Sequence, residues 1–133
     1  MAPPIKRFQP GDRTYVRAQR VWLTLACRIE HGGGTLTYGD LAAEMGMDRR
    51  AGIGLHRELG IVGTYCIQND LPAIGCIVVS QETDTPGPGV ISRPGRTWRD
   101  DQRDALRTRW FEFRVPTTGT FRQVWEEMQE EAV

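Results

Sequence analysis

Apolar side chains recur every three to four residues between residues 13 and 30. In a helix, this spacing would place six apolar side chains on one face: Tyr15, Ala18, Trp22, Leu25, Ala26 and Ile29. The run Gly32-Gly33-Gly34 predicts where the helix ends, because glycine accepts the backbone angles of a helix C-terminus without strain. The pattern therefore predicts a first helix that buries one face in the core.

A glycine turn at Gly46 separates two short predicted helices, residues 38–45 and 48–59. Thr37 and Asp40 have the spacing of a capping box, in which two side chains satisfy free backbone amides at a helix start. Two short helices joined by a tight turn form a helix-turn-helix. The sequence therefore predicts this motif in its first half.

A β-hairpin is predicted after the helix-turn-helix. Gly60 is expected to end the second helix, and residues 61–69 are expected to continue as a short apolar helical segment. Residues 74–80 read Ile-Gly-Cys-Ile-Val-Val-Ser, which favours a strand because β-branched residues suit extended backbone. The prolines and glycines of residues 82–95 predict a turn or loop, with Val90-Ile91 as the returning strand.

Two more helices are predicted in the last third of the chain. Thr97 and Asp100 repeat the capping-box spacing and begin a helix that reaches about residue 110, after which residues 111–113 alternate like a strand end. A final helix follows Pro116, with a possible capping box at Thr120 and Gln123. The predicted fold class is mainly α with a small β-hairpin, a winged helix-turn-helix with flanking N- and C-terminal helices.

The length and composition fit one domain. The chain has 133 residues, of which 39% are hydrophobic and 26% charged, as in ordinary globular proteins. Residues 1–12 are expected to form an N-terminal arm, and residues 13–133 a single winged-helix-like domain with a C-terminal helical extension. No apolar run is long enough for a membrane helix or a signal peptide, so we expect a cytoplasmic protein without a membrane partner.

The charges cancel overall but are unevenly placed. Residues 1–60 carry nine basic and six acidic side chains, which gives +3, whereas residues 61–133 carry eight and eleven, which gives −3. The three cysteines and two histidines have no metal-ligand spacing and no disulfide pattern. We therefore expect neither a metal nor another cofactor.

The stretch Gly34–Gly89 resembles the DNA-binding domain of alkylguanine-DNA alkyltransferases and of their non-catalytic alkyltransferase-like relatives. Its closest part, Gly34–Ala42, reads Gly-Thr-Leu-Thr-Tyr-Gly-Asp-Leu-Ala. The resemblance implies that Tyr38 acts beside the phosphate of a base that is flipped out of the duplex. It also implies that Arg50, in Arg50-Ala51, fills the gap that the base leaves.

The resemblance ends at the reactive cysteine. The transferases carry Pro-Cys-His-Arg, whereas Cys76 here lies between Gly75 and Ile77. A thiol becomes a strong nucleophile when a base or a positive charge makes it a thiolate, and Ile77 supplies neither. We therefore expect no alkyl transfer, and we expect Cys76 to be a small buried hydrophobe.

These patterns predict a non-enzymatic module that binds nucleic acid, with duplex DNA as its partner. Contacts are expected from Tyr38, from the second predicted helix, residues 48–59, acting as a recognition helix, and from a wing formed by Thr83–Gly95 with Arg93 and Arg96 at its end. The predicted contact residues are therefore Tyr38, Arg49, Arg50, Arg57, Arg93 and Arg96. The alternatives are that Tyr38 only packs at a helix entry, that the arginines form a solvated helix face, and that residues 83–95 are a plain loop.

A protein-interaction domain, such as an immunity protein, an antitoxin or a subunit of a complex, is the alternative function. The zero net charge and the acidic last helix favour it. One continuous basic face over residues 38–57 would favour nucleic acid, whereas an exposed apolar patch beside the acidic helix would favour a protein partner.

Overall fold

The computed structural model describes Ala2, Pro4 and residues 12–132, so most of the predicted N-terminal arm lies outside the described residues. The described part contains five α-helices: α1 (Arg13–Glu30), α2 (Tyr38–Glu44), α3 (His56–Gln68), α4 (Trp98–Arg107) and α5 (Thr118–Glu131). It also contains two short strands, β1 (Leu36–Thr37) and β2 (Val78–Val79), and the 3-10 segments Arg49–Leu55, Ile74–Ile77 and Trp110–Glu112. The expectation of a mainly helical fold is confirmed, and the two strands form a small parallel sheet.

The first helix lies at the centre of the core, where α1 packs against α3 and α5. Its predicted apolar face is buried from Ala18 to Ile29. Trp22 lies in the middle of that face, and its ring meets the buried Trp110 edge-on with 6.2 Å between ring centroids. None of the described helices combines the length and the apolar character that crossing a membrane requires.

The helix after the glycine turn differs from the prediction. The capping box of α2 is present, because the Asp40 N–H donates to Thr37 Oγ1 over 3.1 Å and the Thr37 N–H donates to Asp40 Oδ2 over 3.4 Å. Residues 49–55, however, form a 3-10 segment, and α3 begins at His56 and continues through Gly60. The expectation that Gly60 ends the helix is wrong, because the fully buried residues on both sides of it hold α3 in the core despite the low helix propensity of glycine.

The predicted β-hairpin is also wrong. Strand β2 pairs in parallel with β1, with Leu36 opposite Val78 and Thr37 opposite Val79. The predicted returning residues, Val90-Ile91, lie outside any strand. The chain turns immediately after β2, where the Ser80 N–H donates to the Thr85 carbonyl over 2.8 Å, and it then leaves the sheet.

The C-terminal part follows the prediction more closely. The second capping box is present at the start of α4, which ends at Arg107, three residues before the predicted end. Residues 110–112 form a 3-10 segment in place of the expected strand end. Helix α5 is capped by Thr117, whose Oγ1 accepts the Thr120 N–H over 3.1 Å. The capping residue is therefore Thr117, whereas the sequence had predicted Thr120.

Asp101 of α4 joins the helix to two segments of the middle of the chain. Its side chain is fully buried, and Oδ2 accepts the N–H of Ala73 over 3.1 Å and the N–H of Arg93 over 2.8 Å. Oδ1 accepts Nε of Arg93 over 2.7 Å. Because buried polar groups are costly unless they are hydrogen-bonded, these contacts fix the position of Arg93 against α4.

Candidate nucleic-acid interface

An open groove of about 860 Å³ lies between the start of α2, the 3-10 segment Arg49–Leu55 and the turn that follows β2. It is lined by Tyr38, Arg49 and Arg50, three of the residues predicted to bind nucleic acid. The parallel pairing of β1 with β2 brings the turn beside α2 and so forms the opposite side of the groove. We refer to this feature as the groove.

The hydroxyl of Tyr38 is held by the segment Gly87-Pro88. It donates to the carbonyl oxygen of Pro88 over 3.0 Å and accepts the N–H of Gly87 over 3.0 Å. Burial raises the pKa of the Tyr38 phenol, and the hydrogen bond from Gly87 lowers it by less. The ring is 6% exposed, so Tyr38 packs as the alternative interpretation expects, and a phosphate contact through its hydroxyl stays a prediction.

Two glycines let the backbone segments around the groove approach each other. A Cβ on Gly52 would lie 2.2 Å from the carbonyl oxygen of Tyr38, which is impossible without moving one of the two backbones. Gly89 has φ +88°, and a Cβ there would lie 2.2 Å from the carbonyl oxygen of His56. Glycine is therefore required at both positions, where it holds the 3-10 segment on α2 and the loop on α3.

The two arginines of the groove have carboxylate partners and remain open to solvent. Arg49 is paired with Asp40, and its hydrogen bond lowers the pKa of the Asp40 carboxyl, with a further contribution from the Thr37 N–H. Arg50 Nε lies 3.2 Å from Oδ1 of Asp48, yet the Arg50 side chain is 92% exposed. Surface ion pairs of this kind contribute little stability, so both guanidinium groups can exchange these partners for an anionic ligand at small cost.

Ile53 also lines the groove, although no sequence pattern had singled it out. It is 62% exposed, the largest exposed fraction among the large apolar side chains of the described residues. Arg50 and Ile53 are three residues apart in a 3-10 segment, in which side chains at this spacing project from the same side. An exposed guanidinium and an exposed apolar side chain thus stand together at the edge of the groove.

The other three predicted arginines do not line the groove and have partners elsewhere. Arg57 lies over the Trp125 ring of α5, with 5.4 Å between the guanidinium carbon and the ring centroid. Arg93 is bound to Asp101 and Asp104, and its side chain is 16% exposed. Arg96 is half-exposed and lies 3.8 Å from Asp104. Nucleic-acid contacts by these three residues stay predictions, and the loop of residues 83–95 holds no strand.

The thiol of Cys76 is buried. Its Sγ donates a weak hydrogen bond to the carbonyl oxygen of Ile91 over 3.4 Å, and burial, followed by the nearby Asp101 charge, raises the pKa of the thiol to about 12. A thiol with this pKa is almost entirely protonated at neutral pH and is a poor nucleophile. Cys66 is also buried, with its thiol pKa raised by burial to about 12, whereas Cys27 is exposed.

The face over residues 38–57 is mixed in charge. Its three arginines, Arg49, Arg50 and Arg57, are balanced by Asp40, Glu44 and Asp48, and Glu82 adds a carboxylate on the opposite side of the groove. Any anion that binds there must therefore be held by particular arginines, because the surface as a whole carries no excess of positive charge.

Within the described part of the chain, no three His, Cys, Asp or Glu side chains are close enough together to hold a metal ion. Comparisons of the chain with protein families, with curated proteins and with solved structures found no match.

Proposed function

We propose that this chain is a non-enzymatic module that binds duplex DNA through the groove. The observation that carries the proposal is the pairing of Arg50 with Ile53 on one side of the 3-10 segment Arg49–Leu55, next to Tyr38. In this proposal α2 and the 3-10 segment act as a helix-turn-helix, and the loop after β2 stands in the place of a wing. The resemblance to alkyltransferase-like domains supports the roles of Tyr38 and Arg50.

An arginine beside an exposed apolar side chain suits a duplex that is opened or bent. Proteins that deform DNA insert apolar side chains such as isoleucine between base steps, and they bind the adjacent backbone with arginine or lysine. Ile53 has the exposure that insertion requires, and Arg49 and Arg50 line the same groove with two exposed guanidinium groups. The same arrangement would let Arg50 occupy the space of an extruded base.

Binding by a few arginines predicts a shallow dependence on salt. Each phosphate contact releases counterions and contributes about −0.9 to the slope of log affinity against log salt, so contacts by Arg49 and Arg50 predict a slope of about −2. A broad basic surface would give a steeper slope. Fluorescence anisotropy of a labelled duplex, between about 50 and 200 mM salt, measures this slope.

Removal of the Glu82 charge tests the groove by an expected gain of affinity for duplex DNA. It lines the groove across from the arginines and is exposed, so it repels a phosphate backbone placed there. Glu82→Gln should therefore strengthen duplex binding, whereas Glu130→Gln, at an exposed position near the end of α5, should leave it unchanged. An equal effect of the two variants would show that only net charge matters and would contradict binding in the groove.

A protein-interaction module is the second candidate function, and a separate observation favours it. Phe111, Phe113 and Val115 are exposed together on one short segment that precedes the acidic helix α5. An apolar patch of this kind is typical of a protein contact. The two functions use different surfaces, so substitutions in the groove and in this segment separate them.

A further inference from the structure

Residues 107–115, which lead from the end of α4 towards α5, combine exposed aromatic side chains with exposed arginines. Phe111 is 50% exposed and Phe113 42%, and they are the most exposed aromatic side chains of the described residues. Three exposed arginines lie in the same segment: Arg107, Arg109 and Arg114. We call the surface formed by these five side chains the 107–115 surface.

The buried Trp110 holds this segment in place. Its Nε1 donates to the carbonyl oxygen of Ala105 over 2.9 Å, and its own carbonyl oxygen accepts the Phe113 N–H over 3.2 Å. The Phe111 N–H donates to Oε1 of Glu30 over 3.3 Å. The two exposed phenylalanines are therefore presented to solvent from a backbone that hydrogen bonds already fix, which lowers the cost of ordering them on binding.

The two phenylalanine rings differ in what they touch. The Phe113 ring meets the Trp110 ring edge-on, with 6.2 Å between the centroids. The Phe111 ring has no aromatic partner among the described residues. Both rings are open to solvent, and Phe111 is the more available of the two for stacking against a flat ligand.

Two of the three arginines have no carboxylate partner. Within the part of the chain that the structure describes, the side chains of Arg107 and Arg114 form neither an ion pair nor a hydrogen bond. Arg109 lies 3.6 Å from Glu112, and both side chains are largely exposed, so this pair can be exchanged at small cost. Glu30 already accepts a backbone N–H, so the unpaired charges of the 107–115 surface are positive.

We propose that the 107–115 surface binds single-stranded nucleic acid, with Phe111 and Phe113 stacking on bases and Arg107 and Arg114 contacting phosphates. Proteins that bind single strands without sequence preference combine aromatic side chains, on which bases stack, with positive side chains that follow the backbone. This chain has both within nine residues.

A single strand suits this surface better than a duplex or a protein. In a duplex the faces of the bases are stacked on each other, so they are not available to the phenylalanine rings. Exposed apolar side chains alone are typical of a protein contact, but guanidinium groups without carboxylate partners favour phosphate. The inference concerns a surface separate from the groove and does not depend on the proposed binding to duplex DNA.

Fluorescence anisotropy with labelled oligothymidylate and oligouridylate, each about twelve nucleotides long, tests the proposal at about 50 mM salt. The chain should bind both, because stacking and phosphate contacts require no particular base or sugar. Phe111→Leu keeps an apolar side chain but removes the ring, so it should weaken binding about fivefold or more. Phe111→Trp keeps a ring and should retain the affinity of the original chain.

The arginines are tested by their effect on the salt dependence. Arg107→Gln should weaken binding and reduce the slope of log affinity against log salt by about 0.7, the contribution of one phosphate contact on a single strand. Arg13→Gln is the matched control, because Arg13 is exposed at the start of α1 and also lacks a carboxylate partner among the described residues. Arg50→Ala, in the groove, should leave single-strand binding unchanged.

A folded chain that binds neither oligonucleotide would overturn the proposal and leave the 107–115 surface to a protein partner. Equal affinities for Phe111→Leu and Phe111→Trp would contradict stacking, and equal losses for Arg107→Gln and Arg13→Gln would show that only net charge matters. A loss for Arg50→Ala as large as that for Arg107→Gln would place the strand in the groove instead. Circular dichroism confirms that each variant is folded.

Discussion

The Tyr38 hydroxyl donates a hydrogen bond to the carbonyl oxygen of Pro88, 50 positions further along the chain. Together with the bond from the Gly87 N–H, it attaches the loop that follows β2 to the start of α2. The two sides of the groove are joined at this point. The hydroxyl therefore affects both the stability of the fold and the shape of the groove.

Removal of that hydroxyl should destabilise the chain. Tyr38→Phe leaves the Gly87 N–H and the Pro88 carbonyl oxygen without their partner, and the expected loss is about 1–3 kcal/mol of the free energy of unfolding. Tyr65→Phe is the control, because the Tyr65 ring also packs in the protein but its hydroxyl has no hydrogen bond among the described residues. Urea unfolding compares the two, and equal losses would contradict the role given to the Tyr38 hydroxyl.

The close approach at Gly52 predicts a strong contrast between two neighbouring glycines. Gly52→Ala places a Cβ against the Tyr38 carbonyl oxygen and should cost about 1–3 kcal/mol or more, as overpacking does. Gly54→Ala, in the same 3-10 segment, meets no atom within 4 Å and should change stability little. Thermal unfolding measures both variants, and a stable Gly52→Ala would mean that the segment does not rest on α2.

Local patterns predicted the helices well because their signals lie within a few residues of each other. The apolar face of α1 and the capping boxes at Thr37 and Thr97 are examples, and all three are confirmed. The pairing of β1 with β2 could not be read in this way. It joins residues about forty positions apart, and the β-branched run Ile77–Val79 favours a strand without indicating its partner.

The residues that line the groove were predicted in part. The resemblance carried by Gly34–Ala42 pointed to Tyr38, and the predicted recognition helix supplied Arg49 and Arg50. The turn after β2 reaches them only through the parallel sheet, and the exposure of Ile53 depends on the contact of Gly52 with Tyr38. Arg93 was predicted to be a surface cation. Its ion pairs with Asp101 and Asp104 of α4 were not predicted, because they depend on how α4 packs against the preceding loop.

The contacts of Arg93 predict that it stabilises the fold. Arg93→Ala leaves the buried Asp101 carboxylate without its cation and should cost about 3 kcal/mol or more. Arg96→Ala should cost less than about 0.5 kcal/mol, because Arg96 is half-exposed and reaches Asp104 only at 3.8 Å. Chemical denaturation measures the loss of the free energy of unfolding in each variant. Similar small losses for Arg93→Ala and Arg96→Ala would contradict the stabilising role given to Arg93.

The buried thiols predict a loss of stability in alkaline solution. Burial raises the pKa of Cys66 and of Cys76 from 9.0 to about 12, so the folded chain holds these protons more tightly than the unfolded chain. Their contribution is complete below pH 9.0 and decreases as the pH rises from there towards 12. Unfolding measured across this range should show a smaller decrease for Cys76→Ala, and an unchanged pH dependence would contradict the burial of this thiol.

In the proposed function, Arg50 contacts DNA from the edge of the groove. The most direct measurement compares the chain with Arg50→Ala and with Arg99→Ala, which removes the same charge from an exposed position on α4. Each is titrated with an intact duplex and with the same duplex carrying one mismatch, at about 50 mM salt.

The expected result is that Arg50→Ala weakens binding while Arg99→Ala leaves it near that of the original chain. If Arg50 contacts phosphate, the loss is equal on both duplexes; if Arg50 fills the space of an extruded base, the loss is larger on the mismatched duplex, whose bases cost less to extrude. Equal affinities for Arg50→Ala and Arg99→Ala on both duplexes, or a folded chain that binds neither duplex, would contradict the claim.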